Sequence, residues 1–303
     1  MASPAPVGPV FVLAPHRSYT SVVVMVLGQH PMLFGLPETN LFVTPTIGQW
    51  LRVYRGGRHP GGHGLLRALS EVLYGAQGPE PVTWARHWLF GHRDWPGEAV
   101  FALLAARISP LGVVEKSPQV CYRPGRLQRL AGAWPGARYL HVTRHPYSQG
   151  SSMLSSLADI GIPPRLVDRW LGEGGDPQRS WLAAQNNILA FEQSVPTDHW
   201  LRIRGEDLVA DLPAAAAALC DWLGLPGSAE VVERMLHPER SPFAAPGPPG
   251  ARLGLDAGFL AHPQLSAGAG EVALPSMDDP PPWAADRAVD PQVRQVAIEL
   301  GYS

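Results

Sequence analysis

Cysteine is almost missing from this chain: Cys121 and Cys220 are the only two among its 303 residues. They stand far apart with no paired ligand spacing, which argues against a disulfide scaffold or a zinc site and makes a reducing cytoplasm the expected compartment. An excess of either charge is also missing, with 24 Lys and Arg against 26 Asp and Glu. The broad cationic footprint of a nucleic-acid binder is therefore absent, and no nucleic-acid partner is expected. No apolar run reaches the length of a membrane span. Residues 1–15 carry no basic stretch ahead of a long apolar core, so neither a membrane anchor nor a secretory leader is expected. Glycine and proline are plentiful, at 32 and 33 residues. They gather after position 240, where they predict loop rather than regular structure.

What is present suits one sizeable α/β domain, since 45% of the residues are hydrophobic and that supplies a real core. Residues 10–14 (VFVLA) form a short continuous apolar run, the pattern of a buried parallel strand, and a helical pattern follows over 20–29. Alternation resumes later. Strands are predicted at 112–115, 137–143 and 200–204, and helices at 123–133, 146–157, 181–193, 212–223 and 291–301. This order predicts a parallel sheet covered on both faces. A single domain over 1–303 is expected, with 40–111 as a helical insertion that walls a pocket and 237–285 as a Gly/Pro-rich loop segment, of which 237 to about 270 is too long to be an idle linker.

Two strand-to-helix junctions carry the chemistry. At 14–21 (APHRSYTS) a strand ends and a helix begins, so unpaired N–H groups and the positive end of the helix dipole point at one place. Arg17 adds a forked cation, and Ser18, Thr20 and Ser21 add hydroxyls, a set suited to phosphate or sulfate. Helix capping by Ser or Thr is the plainer explanation of this segment taken alone. A second junction at 139–146 (YLHVTRHP) repeats the logic with Arg144, and Ser151 and Ser152 follow in its helix. Two such strand ends on one sheet edge form a binding crevice for an anionic ligand.

Residues 10–42 resemble the 3′-phosphoadenosine 5′-phosphosulfate (PAPS)-dependent sulfotransferases, especially their bacterial and tyrosylprotein-type branch. Those proteins carry a Pro-Arg-Ser-Gly-Thr-Thr-like loop, a His-Pro and then a Pro-Glu. Residues 144–153 (RHPYSQGSSM) are similar to their second motif, an Arg-x-Pro with a serine eight residues after the arginine, matched by Ser152. Residues 114–118 (VEKSP) and 203–208 (IRGEDL) fall in the family's order, and the likeness spans roughly 10–236. It implies an α/β, three-layer, P-loop-like sulfotransferase fold with a central parallel sheet.

The resemblance further implies that Arg17, Ser18, Tyr19, Thr20 and Ser21 cradle the donor's 5′-phosphosulfate while Arg144 and Ser152 hold its 3′-phosphate. Glu38 would be the general base, and Lys116 and Arg17 would stabilise developing charge, although a turn glutamate and a solvated lysine paired with Glu115 are the plainer alternatives. The loop lacks the Gly-Lys-Ser/Thr ending of nucleotide hydrolases, so neither NTP hydrolysis nor a metal is expected. The partner expected is a small-molecule acceptor bearing a hydroxyl, in a bacterial secondary metabolite. Oligomeric state is left open.

Two positions depart from the pattern. Tyr19 stands where the family loop has glycine, and Gly205 stands where the later motif has tyrosine. The expectation is that Tyr19 fills the space the missing tyrosine leaves and shifts the nucleotide. Altered donor use, or a non-catalytic member that binds nucleotide or a partner, are the alternatives. His30, His141 and His145 are expected to be structural, and His16 to be either a sulfate donor or an exposed loop residue. Trp84, Trp88 and Trp95 are expected to be packing, and Arg252 is a candidate extra anion contact.

Overall fold

The computed structural model describes residues 8–159, 175–265, 270 and 272–303. Five strands form one sheet: β1 (Val10–Leu13), β2 (Leu33–Gly35), β3 (Gly112–Lys116), β4 (Arg138–Thr143) and β5 (Trp200–Arg204). Every pairing is parallel, and the order is β2-β3-β1-β4-β5. The interior strands β1 and β3 are buried at every position, and β4 at all but its first. Strands covered on both faces have no solvent side, which is why VFVL and GVV read as runs rather than as alternation. β5, at the edge, is partly exposed throughout.

Helices α1 (Thr20–Leu27), α6 (Pro124–Ala133), α7 (Pro146–Asp159), α8 (Pro177–Glu192), α9 (Gly205–Ala210), α10 (Leu212–Leu223), α11 (Ala229–Met235) and α13 (Pro291–Glu299) follow or cover the strands. α1 is rich in valine, a modest helix former, yet seven of its eight residues are buried, so packing rather than propensity holds it. α7 begins on Pro146, where a missing N–H leaves no bond unmade. The stretch read as an insertion contains α2 (Ile47–Val53), α3 (His63–Tyr74), α4 (Pro79–Gly91) and α5 (Gly97–Ile108).

Within the segment 237–285, regular structure is limited to a turn of 3-10 helix and α12 (Ala257–Ala261) among the described residues. Positions 266–269 and 271 of that segment, and residues 1–7, lie outside the described residues. Its first half is clamped by Arg67 of α3. That buried guanidinium donates to Phe243 O at 3.2 Å, Ala245 O at 2.8 Å and Leu253 O at 3.3 Å. Burial pushes Arg67 down to about 10, so it stays charged at neutral pH and satisfies three carbonyls that no ladder pairs.

A parallel sheet sends all its strand ends to one edge. The connections on either side of β1 run in opposite directions, toward β2 and β3 on one side and β4 and β5 on the other. The crevice this opens, outside the carboxyl ends of the strands, is where α/β sheets take ligands.

Candidate active site

Four strand ends feed that crevice, and each supplies one charged group. Arg17 follows β1, Glu38 follows β2, Lys116 closes β3 and Arg144 follows β4. Their spacing in sequence is wide, and the parallel topology alone makes them neighbours.

The loop after β1 folds tightly. Arg17 and Tyr19 both take left-handed backbone, with φ of 67° and 59°, a conformation that costs a side-chain-bearing residue about 1–2 kcal/mol. Tyr19 is the N-cap residue of α1 and makes no side-chain cap, so the serines and threonine beside it do not serve as the helix cap that sequence alone suggested. Ser18 is fully buried and its Oγ has no partner. Thr20 and Ser21 are buried in the first turn. A buried hydroxyl left unpartnered at a helix start is free to donate to a bound group.

The two arginine junctions meet. Arg17 Nε donates to Ser152 Oγ of α7 at 3.0 Å, and Arg144 Nη1 donates to the Arg17 carbonyl at 2.6 Å. The Arg144 guanidinium lies 4.5 Å from the centre of the Tyr19 ring, and its Nε is buried without a partner. The IRGEDL motif braces this loop from below. Glu206 accepts from the His145 N–H at 2.9 Å and from the Tyr302 hydroxyl at 2.9 Å. Gly205 makes room for Tyr19, since a Cβ there would lie 2.2 Å from Tyr19 Cδ2. The Tyr19 ring thus occupies the space that a side chain at position 205 would take.

On the other side of β1, Lys116 and Glu38 form an ion pair. The lysine side chain is only 2% exposed and the glutamate 21%. Neither is the solvated residue of the plainer alternative. Glu115 does not pair with Lys116. It is buried, accepts from Thr39 N at 3.1 Å, Thr39 Oγ1 at 2.8 Å and the Ser117 hydroxyl, and so ties the Glu38 turn to β3. That turn also needs glycine opposite it: a Cβ on Gly64 would stand 2.0 Å from the Glu38 carbonyl oxygen.

His16 joins the two halves. Its N–H donates to the Tyr122 hydroxyl at 3.3 Å, its carbonyl accepts from Gln149 Nε2 at 2.7 Å, and its ring stacks on Tyr122. Burial pushes the imidazole down, Glu38 works against that, and Lys116 and Arg17 add to it, so the ring is neutral at pH 7. Burial also pushes the Tyr54 and Tyr122 hydroxyls up, and the Glu38 charge adds to both. Both hydroxyls lie close enough to Glu38 to feel its charge, and no motif in the sequence marked either tyrosine.

The segment after α11 reaches the same place. Gly254 O accepts from the Glu38 N–H at 2.8 Å, and the Asp256 N–H donates to Ser21 Oγ at 2.9 Å. The Asp256 carboxylate pairs with Arg17. Arg252 lies exposed and its carbonyl accepts from Gly247, so the residue that meets the anion loop is Asp256, an acid in place of the base expected. The tryptophans differ from expectation as well. Trp88 and Trp95 pack with His92, and Trp84 with Tyr74, but Trp84 and Trp95 are 47% and 39% exposed on the outer face of the insertion. His30, His141 and His145 are buried and bonded within the fold. Among the described residues no group of three His, Cys, Asp or Glu is placed to hold a metal, and no helix is long and apolar enough to cross a membrane.

The class defined by these features is a doubly wound α/β protein with a paired cationic anion site and an adjoining acid–lysine pair. Residues 9–229 match the model of the Sulfotransferase family, and the chain belongs to that family. The fold is shared with the sulfotransferase domain of the Synechococcus PCC 7002 olefin synthase, at 22% identity over 100% of this chain and 98% of that one, with a TM-score of 0.72. It is also shared with the sulfotransferase domain from the curacin biosynthetic pathway, at 21% identity over 98% of both chains, with a TM-score of 0.69. A search of curated proteins finds no match.

Proposed function

We propose that the chain transfers a sulfuryl group from PAPS to a hydroxyl of a small-molecule acceptor in a biosynthetic pathway. The observation that carries this is the meeting of Arg17 and Arg144 at adjacent strand ends, with the buried Ser18 Oγ and Arg144 Nε both left without partners. A ligand with an anionic group at each end supplies what both lack. The 17–21 loop takes the 5′-phosphosulfate, and Arg144 with Ser152 takes the 3′-phosphate.

The reaction then needs in-line geometry, a base and a stabiliser of the leaving charge. Glu38, paired with Lys116, accepts the proton of the acceptor hydroxyl as the new S–O bond forms. The bond between sulfur and the bridging phosphate oxygen breaks, and the electron pair leaves on adenosine 3′,5′-bisphosphate (PAP). Lys116 and Arg17 face the oxygen that gains this charge. Tyr54, Tyr122 and His16 surround the acceptor hydroxyl. The setting is suggested by the two structural relatives, whose descriptions place them in the curacin pathway and in an olefin synthase.

The test is turnover of PAPS to PAP with a hydroxylated acceptor. Glu38→Gln is expected to lower kcat by about 10²–10⁴-fold, the usual size of a general-base contribution, while PAP affinity measured by calorimetry changes by less than about threefold, or about 0.7 kcal/mol. Transfer at the wild-type rate in that variant would overturn Glu38 as base. An absence of PAP binding in the wild-type protein would instead favour the reading of altered donor use.

A further inference from the structure

Arg144 is held in an unusual way. Among the described residues, none of the carboxylates forms an ion pair with it. Its neighbours are the Arg17 carbonyl, which accepts from Nη1, and the face of the Tyr19 ring. Arg17, by contrast, is paired with Asp256. A carboxylate that fixes a guanidinium also cancels its charge, whereas an aromatic face fixes the plane and leaves most of the charge for another partner. The unpartnered Nε adds an unused donor on the same group.

Tyr19 is in turn fixed from three directions. Its backbone is locked in the left-handed region as the N-cap of α1. Its ring fills the space over Gly205, where a Cβ would come within 2.2 Å of Cδ2 and 3.0 Å of Cε2. Arg144 covers it at 4.5 Å. The ring is therefore a platform that neither slides toward α9 nor turns away from Arg144.

We infer that Tyr19 is a positioning residue for donor selection: it holds Arg144 oriented without pairing its charge, so that the 3′-phosphate of the nucleotide is read by a guanidinium resting on its ring. This rests on the assignment of Arg144 to the 3′-phosphate made above.

The experiment is calorimetric titration with PAP and with adenosine 5′-phosphate, which lacks only the 3′-phosphate. The wild-type protein is expected to prefer PAP by about tenfold or more, the factor that 1.4 kcal/mol corresponds to. Tyr19→Phe keeps the ring and should keep that preference. Tyr19→Leu should bring the ratio to within about threefold of unity, because any loss at the 5′-phosphate is common to both nucleotides while the loss at the 3′-phosphate falls on PAP alone. Gly205→Ala, which pushes the ring aside without touching Tyr19 chemically, should act in the same direction and provides the test if Tyr19→Leu does not fold. Wild-type preference retained in Tyr19→Leu or in Gly205→Ala overturns the inference. So does a Tyr19→Phe variant as impaired as Tyr19→Leu, which would assign the effect to the hydroxyl. If the wild-type protein itself fails to distinguish the two nucleotides, the Arg144 assignment falls first, before any variant is made.

Discussion

Lys116 is the one lysine of the chain, and it is buried against Glu38 at the end of β3. Every other fixed side-chain cation is an arginine, which suits static pairing with planar anions, whereas a compact ammonium can follow a charge as it moves. That singularity was visible in the sequence and is the strongest signal there that Lys116 is not a surface residue. At the same scale, His141 and His145 set a pH limit on the fold. His141 accepts from Arg202 Nε at 3.2 Å and meets Gln185 Oε1 at 2.8 Å, and burial pushes it down to about 3. Burial and then the Arg204 charge push His145 down to about 4. The unfolded chain titrates near pH 6.5, so between about 6.5 and 4 it takes up protons that the folded chain refuses, and stability falls as pH falls. At pH 5 the loss is about 2 kcal/mol for each histidine. Thermal melting between pH 7 and 5 checks this: the melting temperature should drop, and His141→Gln should drop less steeply. Parallel pH profiles for the two proteins would count against it.

At the scale of elements, the segment between α11 and α12 is the part of the site least legible beforehand. Its glycines and prolines correctly announced loop, but Arg67 in α3 and Asp256 lie nearly two hundred positions apart, and no periodicity links them. The strands and helices were legible because each is a run with its own pattern. β2, three residues long, and α9 and α11, at six and seven, were too short to show one. Asp256 uses its two carboxylate oxygens differently. Oδ1 caps α12 by accepting from Gly258 N at 3.0 Å and Phe259 N at 3.2 Å, while Oδ2 pairs with Arg17. The segment therefore offers Arg17 an internal anion where the donor's 5′-phosphate is proposed to bind. Asp256→Asn keeps an oxygen for the cap and removes the charge. The pair is partly solvated, at 24% and 26% exposure, so its removal is worth up to about 1 kcal/mol. Calorimetry should find PAP bound up to about fivefold tighter by the variant. Weaker binding would mean that Asp256 positions Arg17 for the donor rather than competing with it.

For the whole molecule, the parallel sheet is the device that converts four distant motifs into one site. Sequence alone located the motifs and their order. Their convergence depended on a strand order in which β1 lies between β3 and β4, so that Arg17 has Lys116 on one side and Arg144 on the other. The departures at positions 19 and 205 were linked already in the sequence, and the fold sets the Tyr19 ring in the space over Gly205. The central claim is that the two arginine junctions grip opposite ends of a single nucleotide. A crystal structure of the protein with PAP tests it most directly. The account predicts the 5′-phosphate within hydrogen-bond reach of the 17–21 loop and the 3′-phosphate on Arg144 and Ser152. A nucleotide bound with only one phosphate at either junction, or bound away from this sheet edge, would contradict it.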